Sequence, residues 1–181
     1  IDVLYHAAAT YAFYTGSVEK DASMVRDSVE GVENAMRSAA KSGVKKVVLT
    51  SSIVTLPLRR RGQPPSTEAD WNTDLRVPYF RAKTLAEQTA WRLAEELGVK
   101  LVTVLPAAIG GSGFVRRTAT TDFFEGVMLG SMKMGAPDWV YPYVDIADVV
   151  EGHLLAAESD ASGRFILSND EAPSIVELTK I

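Results

Sequence analysis

Val77-Pro78-Tyr79-Phe80-Arg81-Ala82-Lys83 opens an amphipathic run that continues to Leu93. Tyr79 and Lys83 stand one helical turn apart, so on a helix their side chains project from the same face. A phenol that exchanges a proton near neutral pH needs a pKa below its usual value of about 10. A neighbouring ammonium lowers that pKa because it favours the phenolate. The pair predicts an acid–base site, although the same spacing occurs by chance in many helices.

An earlier stretch strengthens this prediction. Residues 44–50 contain the apolar run Val47-Val48-Leu49 and alternate little, a pattern typical of a strand buried on both faces of a parallel sheet. Ser51 and Ser52 follow at its carboxyl end, where such sheets bind their ligands. The two stretches together form a Ser…Tyr-x-x-x-Lys constellation. If Tyr79 were missing downstream, a plain turn would be the better interpretation of the two serines.

Strand and helix patterns alternate along the chain. The apolar runs at 2–9 and 99–105 predict two further buried strands, and residues 17–42 follow the helical period. Strand, crossover helix and strand form a parallel unit, so the fold class is predicted to be α/β, a parallel sheet covered by helices. Helices are also predicted at 123–129, from Asp145 to Ala157 and from Pro173 onward, with a strand at 163–168 and Asp145 as a helix N-cap.

Composition and charge argue against several function classes. The 181-residue chain has no cysteine, which excludes disulfides, thiolate metal sites and a cysteine nucleophile, and its two histidines argue against a metal centre. The net charge of −4 gives no electrostatic reason to expect nucleic acid or an anionic membrane as a partner. The basic run Arg59-Arg60-Arg61 is interpreted as a solvated loop. No apolar run reaches the roughly 20 residues of a membrane span, and a cytoplasmic enzyme is expected.

The chain resembles the extended short-chain dehydrogenases/reductases, and among them the branch of dihydroflavonol 4-reductase and the aldehyde reductases. The pieces that carry the resemblance occur in the family's order: His6-Ala7-Ala8, Glu30-Gly31-Val32-Glu33-Asn34, Val47-Val48-Leu49-Thr50-Ser51-Ser52, Tyr79-Phe80-Arg81-Ala82-Lys83, Leu105-Pro106 and Tyr143-Val144-Asp145-Ile146-Ala147-Asp148-Val149. The family's first glycine-rich segment is absent. Because the chain also begins inside a buried-strand pattern without a methionine, it is expected to be a fragment of a longer protein.

The resemblance implies a catalytic set of Ser52, Tyr79 and Lys83. Tyr79 would be the general acid in reduction, and Ser52 would orient the substrate oxygen. Lys83 would lower the pKa of the tyrosine and hold the ribose of a nicotinamide cofactor, either NADP or NAD, with a slight preference for NADP. The implied cofactor-binding residues are Ala7, Ala8, Ala9, Thr50, Ser51, Tyr79, Lys83, Pro106, Ala107, Ala108 and Ile109.

The resemblance also implies the domain organisation. Residues 1–110 correspond to the C-terminal part of a Rossmann-type dinucleotide-binding domain that contains the Ser/Tyr/Lys site. Residues 111–181 correspond to part of a small substrate-binding region, in which 141–168 pack back on the main domain. A homodimer through the helices at 17–42 and 77–97 is expected, because many relatives associate through this pair.

The predicted function is the nicotinamide-dependent reduction of a ketone or aldehyde, or oxidation of the alcohol, with Tyr79 as general acid/base. One alternative is a sugar-nucleotide epimerase or dehydratase on the same scaffold, for which Arg116 and Arg117 are the only hint of a diphosphate pocket. The other is an inactive fragment or a binding module, because the glycine-rich turn that holds the cofactor phosphates is missing.

Overall fold

A computed structural model describes residues 1–60, 62–113, 116–132, 135–137, 139–140 and 142–180. Arg61 of the basic run, Tyr141 at the start of the 141–168 segment and Ile181 at the end of the substrate-binding region lie outside the described residues. The chain divides into two compact units. The first unit comprises Ile1–Leu105 with His153–Ile166, and the second comprises Pro106–Gly152 with Leu167–Ile181.

Strands and helices alternate through the described chain. In order they are β1 (Val3–His6), α1 (Val18–Lys41), β2 (Lys46–Thr50), α2 (Pro78–Leu97), β3 (Lys100–Pro106), β4 (Ala108–Gly110), α3 (Ala119–Met128), β5 (Tyr143–Asp145), α4 (Ile146–Glu158), β6 (Gly163–Leu167) and α5 (Ile175–Leu178). One turn of 3-10 helix, Ile53–Thr55, follows β2. In the described parts of the chain, none of the helices has the length and apolarity that crossing a bilayer requires.

The main sheet has four strands in the order β1-β2-β3-β6. β2 pairs in parallel with β1 on one side and with β3 on the other, so that Val47 lies opposite both Leu4 and Leu101. Val47 and Val48 are almost completely buried, as expected for a strand covered on both faces. The predicted α/β class with a parallel sheet and flanking helices is confirmed.

Helices α1 and α2 cover this sheet, and their ends are fixed by local chemistry. The Ser17 side chain caps α1 at its N-terminus, and Ser42 is the C-cap that follows its last residue, Lys41. Pro78 occupies the first turn of α2, where a missing N–H costs nothing. Gly98 ends α2 in the left-handed conformation, with φ of +65°. Buried side chains of both helices and the sheet form one core: Val32, Met36, Ala39, Val44, Val47, Leu49, Ala86, Ala90, Leu93, Ala94, Val99 and Leu101.

The second unit contains a two-stranded parallel sheet of β4 and β5. The predicted N-cap role of Asp145 is confirmed, because its Oδ1 accepts a hydrogen bond of 2.8 Å from the backbone N–H of Ala147 at the start of α4. Helix α3 begins at Ala119, earlier than the predicted start at residue 123. The reason is a capping box in which Thr118 and Thr121 each bond the other's backbone N–H.

Candidate active site

The carboxyl end of β2 and the first turn of α2 bring Ser52 and Tyr79 together. Ser52 caps the 3-10 turn after β2, and its Oγ accepts a hydrogen bond of 3.3 Å from the backbone N–H of Val54. Tyr79 is 7% exposed and is the second residue of α2. A side-chain hydrogen bond with Ser52 acts on the pKa of the Tyr79 phenol and lowers it. Two members of the predicted catalytic set are therefore neighbours in the structure.

The pKa of Tyr79 differs from the sequence-based prediction. Burial raises the pKa of Tyr79 to about 12, and the effects of Ser52, which lowers it, and Tyr11, which raises it, are smaller. A phenolate in an apolar site loses the hydration that stabilises its charge in water, so burial favours the neutral phenol. The prediction that the phenol has a lowered pKa is wrong for this structure, because burial is the largest effect acting on it.

Lys83 lies one turn beyond Tyr79 and is partly buried. Its Nζ donates a hydrogen bond of 3.0 Å to the backbone carbonyl of Thr50 at the end of β2. Burial lowers the pKa of Lys83 to about 8, and the negative charge of Glu87 opposes that shift. The ammonium therefore lies at the same strand end as the serine and is close to titrating at neutral pH.

Thr50 and Ser51, two of the predicted cofactor neighbours, make side-chain contacts of their own. Thr50 Oγ1 is 2.7 Å from Nε2 of His153. Ser51 is buried, and its Oγ donates a hydrogen bond of 2.6 Å to Glu87. These contacts hold both side chains in defined positions at the strand end.

The predicted alanines come directly after β1, because this strand ends at His6 and not within the alanine run. Ala7, Ala8 and Ala9 are all exposed. Ala8 and Ala9 line a small cavity of about 20 Å³, whose other lining residues include Thr50, Ser51, Lys83 and Glu87. A cavity of this size has room for about one water molecule.

The last four predicted cofactor residues belong to the second unit. Pro106 is the final residue of β3, and the backbone N–H of Ala107 donates to the carbonyl of Leu167 at 2.9 Å. Ala108 and Ile109 lie in β4, a strand that the sequence analysis did not predict. The side chains of Pro106 and Ala107 are buried, and those of Ala108 and Ile109 are partly buried.

Several residues near the predicted set were missed. The rings of Tyr11 and Phe13 meet the ring of Tyr79 edge-on, with centroids 5.1 Å and 5.7 Å away. The sequence did contain a signal for these aromatic contacts, namely the aromatic run Tyr11-Ala12-Phe13-Tyr14 after a strand end. Glu87, one turn beyond Lys83 on the buried face of α2, was a second signal, since a carboxylate at an apolar position requires a partner.

The described residues contain no cluster of three or more acidic or imidazole side chains that could hold a metal ion. What the site does contain is a phenol, a hydroxyl and an ammonium at one strand end. This set can donate a proton to an oxygen atom and can orient that oxygen by hydrogen bonding.

Comparison with known proteins identifies the family. The profile of the NAD dependent epimerase/dehydratase family matches residues 1–167. The chain belongs to this family. The predicted resemblance is thereby confirmed, and the relatives are plant reductases, as the resemblance to dihydroflavonol 4-reductase implied.

Two relatives illustrate this similarity. The chain is 33% identical over 177 residues to tetraketide alpha-pyrone reductase 1 of Arabidopsis thaliana, covering 92% of this chain and 54% of that protein. It is 30% identical over 174 residues to cinnamoyl-CoA reductase CAD2 of Medicago truncatula, covering 91% of this chain and 52% of that protein. The chain thus spans about half the length of both reductases.

A solved structure shows the same fold. The UDP-glucose 4-epimerase of Thermus thermophilus in complex with NAD superimposes with a TM-score of 0.79 at 19% identity, over 99% of this chain and 60% of that chain. At this level of identity the likeness is evidence for the fold alone. It agrees with the parallel sheet and flanking helices described above.

Proposed function

We propose that this chain carries the acid–base site of a nicotinamide-dependent oxidoreductase, which reduces a ketone or aldehyde or oxidises the corresponding alcohol. The proposal rests on one observation, the placement of Tyr79 beside Ser52 after the end of β2, with Lys83 anchored to the same strand end. Membership of the NAD dependent epimerase/dehydratase family supports the reaction class. So do the names of two relatives, both of which are reductases.

Each of the three residues has a role in this proposal. Tyr79 is the general acid, since a pKa of about 12 keeps its phenol protonated at neutral pH and ready to give a proton to the carbonyl oxygen. Ser52 donates a hydrogen bond to the same oxygen and orients the substrate. Lys83 holds the cofactor ribose and places a positive charge on the same helix face. A bound nicotinamide supplies or accepts the hydride.

The residues around the strand end fit a nicotinamide cofactor, NADP or NAD. An ammonium has three N–H donors, and one hydrogen bond of Lys83 goes to the carbonyl of Thr50. Its other donors can serve ribose hydroxyls. The exposed residues 7–9 carry only methyl side chains, so a planar ligand can approach their backbone closely. Thr50 and Ser51 are proposed as further cofactor neighbours.

The residues 106–109 are proposed to meet the carboxamide of the nicotinamide through their backbone. This part of the proposal comes from the family resemblance. The pairing of Ala108 with Tyr143 and of Ile109 with Val144 supports it, because a strand holds its backbone groups in fixed positions.

The alternative of a sugar-nucleotide epimerase or dehydratase loses one of its two sequence clues. Arg117 was one of two arginines considered for a diphosphate pocket. Its guanidinium instead forms ion pairs with Asp122, at 2.6 Å, and with Glu125. These carboxylates neutralise the charge that a diphosphate would need.

The remaining alternative is a binding module or an inactive fragment that lacks the cofactor phosphate site. A titration of the chain with NADPH and NADH, followed by cofactor fluorescence, separates this alternative from the enzyme. Saturable binding to the folded chain would support the oxidoreductase, and a panel of ketones and aldehydes would follow. A folded chain that binds neither cofactor would contradict the proposal for this chain.

Tyr79→Phe tests the proposed chemistry directly. The substitution removes the donated proton while keeping the ring that packs against Tyr11 and Phe13. We expect at least a roughly 100-fold loss of reductase turnover with unchanged circular dichroism. Tyr14→Phe is the matched control, since Tyr14 is 64% exposed. Near-normal turnover of the Tyr79 variant would overturn the assignment of Tyr79 as the acid.

A homodimer through the outer surfaces of α1 and α2 is also proposed. These surfaces carry exposed ion pairs, such as Arg37 with Glu33 at 2.9 Å and Arg92 with Glu96 at 3.1 Å. Val18 is the sole exposed large hydrophobic residue of the two helices, all of whose residues are described. An interface of this kind would be polar and sensitive to salt, which sedimentation at low and high ionic strength would test. The cytoplasmic location stays a prediction from the sequence.

A further inference from the structure

We propose that Glu87 is a positioning residue of the Ser52–Tyr79–Lys83 site, which fixes the end of β2 and keeps the side chain of Lys83 in its charged form. This inference rests on the proposed function for its catalytic meaning. The physical coupling between Glu87 and Lys83 can be tested without any cofactor or substrate.

The carboxylate of Glu87 is the centre of a buried hydrogen-bond network. Its side chain is 0% exposed. It accepts hydrogen bonds from Ser51 Oγ at 2.6 Å and from Thr103 Oγ1 at 2.7 Å. Nε of Arg164 donates a third at 2.9 Å. These donors come from the end of β2, from β3 and from β6, so one side chain of α2 ties three strands of the sheet to the helix that carries Tyr79.

Arg164 is the charged partner of this buried carboxylate. A buried charge without such a partner would be strongly destabilising. The Arg164 side chain is 7% exposed and is itself held in place. Its Nη1 donates to the carbonyl of Glu68 at 2.8 Å, its Nη2 donates to Thr55 Oγ1 at 2.8 Å, and its guanidinium lies 3.7 Å from the ring centroid of Trp71. The pair thus has a fixed geometry in a region of low dielectric constant.

The negative charge of Glu87 acts on the ammonium group of Lys83. Glu87 follows Lys83 by one turn on α2, and both side chains line the small cavity beside β2. Burial lowers the pKa of Lys83, and Glu87 acts in the opposite direction. Interactions between charges are strong in such a site because little water screens them. Without the carboxylate, the lysine would lose its proton at a lower pH.

The other groups that face Lys83 do not supply this negative charge. From β1 comes His6, whose pKa is lowered by burial and by the charge of Lys83. Tyr79 on α2 has a raised pKa and is a neutral phenol at neutral pH. His153 bonds the Thr50 side chain, and the cavity residues of α1 are Ser28 and Val32. Among the described residues that line this cavity, Glu87 is the acidic one.

Glu87 also acts on Ser52 through its neighbour. Ser51 is held by its side-chain bond to Glu87 and by a backbone bond of 2.8 Å from its N–H to the carbonyl of Val104. Because both the side chain and the backbone N–H of Ser51 are bonded, the backbone that leads into Ser52 has a fixed position. The network therefore positions the serine hydroxyl and the lysine ammonium together.

The test is an NMR titration of the Lys83 side chain in the unliganded chain, with ¹³C-labelled lysine and with Lys83→Met to assign the signal. In Glu87→Gln we expect the pKa of Lys83 to fall by roughly one unit, because the carboxylate charge is lost and that of Arg164 remains. In the double variant Glu87→Gln/Arg164→Gln we expect a smaller fall, because both charges are removed. Glu95→Gln is the matched control, an exposed carboxylate on the same helix.

The double variant keeps the inference falsifiable. It removes the unpaired buried guanidinium that could prevent Glu87→Gln from folding. An unchanged Lys83 pKa in the variants that fold would overturn the inference. The inference would also be overturned if the Lys83 pKa were lower in the double variant than in Glu87→Gln. The proposed charge effect predicts that the second substitution partly restores this pKa, whereas a merely structural role of Glu87 predicts no such restoration. If Lys83 responds as expected while Tyr79→Phe retains turnover, the proposed function fails and this coupling stands.

Discussion

Replacing Lys83 by methionine should make the stability of the fold less dependent on pH. The structure places the ammonium in a partly buried position with one carbonyl partner, Thr50. Burial lowers the pKa of Lys83 from the ordinary value of 10.5 to about 8. Methionine has a similar length and no charge, so it removes the titration while filling most of the same space.

The sign of the effect follows from proton binding. Between about pH 8 and pH 10.5 the unfolded chain keeps the Lys83 proton and the folded chain releases it, so stability rises with pH in this window. As pH falls through about 8, the folded chain takes up the Lys83 proton and this gain in stability is lost. The difference between the pKa values of Lys83 in the unfolded and folded chain corresponds to about 3 kcal/mol of stability at neutral pH, since one pKa unit is about 1.4 kcal/mol. The value is an upper limit because Lys83 is partly exposed to solvent.

The measurable quantity is the difference in unfolding free energy between Lys83→Met and the parent chain. By the same linkage relation, we expect this difference to shift by about 2 kcal/mol between pH 7 and pH 9.5, with the variant relatively more stable at pH 7. Denaturant unfolding followed by circular dichroism measures it, and Lys20→Met on the exposed face of α1 is the control. A difference that stays constant across this range would show that Lys83 titrates in the folded chain as it does in water, and would refute the reasoning.

Two further predictions concern positions outside the proposed site. Gly111→Ala should lower the unfolding free energy by roughly 1–3 kcal/mol, because φ is +116° and an added Cβ would lie 2.7 Å from Asp145 Oδ2. Gly113→Ala, with φ of +85° and open space around it, should cost less, and equal costs in denaturant unfolding would contradict this explanation. Lys46→Met should cost roughly 1–3 kcal/mol, because the buried Lys46 ammonium donates to the carbonyl of Ala156 at 3.0 Å near the end of α4. Hydrogen exchange in the last turn of α4 should become faster, and unchanged exchange would count against this role.

The sequence was sufficient for the parts of the fold that local chemistry determines. Pro78 and Gly98 bound α2, and both are typical helix-boundary residues. Asp145 caps α4, as predicted. The uninterrupted apolar run before Thr50 forms the central strand β2. Each of these features depends on residues within a few positions of one another, so a single sequence contains the signal.

Contacts between distant segments could not be predicted in this way. Arg164 reaches Glu87 across 77 positions of the chain, and no periodicity connects the two. β4 is three residues long and gains its hydrogen bonds from β5, so its own residues carry little strand signal. The burial of Tyr79 depends on Tyr11 and Phe13, which belong to a loop that follows a different strand.

The missing information changes the electrostatic interpretation of the site. Spacing alone predicted that Lys83 lowers the pKa of Tyr79, but burial acts on both groups and disfavours phenolate and ammonium alike. Burial raises the pKa of the phenol to about 12 and lowers that of the ammonium to about 8. At neutral pH the phenol is therefore protonated, although its raised pKa makes it a weaker acid. It can still give its proton to the substrate oxygen, because the alkoxide that hydride addition forms is the stronger base.

Oxidation of an alcohol, the reverse of the proposed reduction, requires a different protonation state of the same residues. To take a proton from an alcohol, Tyr79 must first become a phenolate, and a pKa of about 12 makes this state rare at neutral pH. Additional positive charge or a hydrogen bond to the phenolate would be needed to bring the pKa down. Lys83 can supply that charge only while it keeps its proton, and the buried carboxylate of Glu87 favours that form. In the proposed function the neutral phenol therefore serves reduction, and oxidation would rely on the charge of Lys83, whose protonated form Glu87 favours.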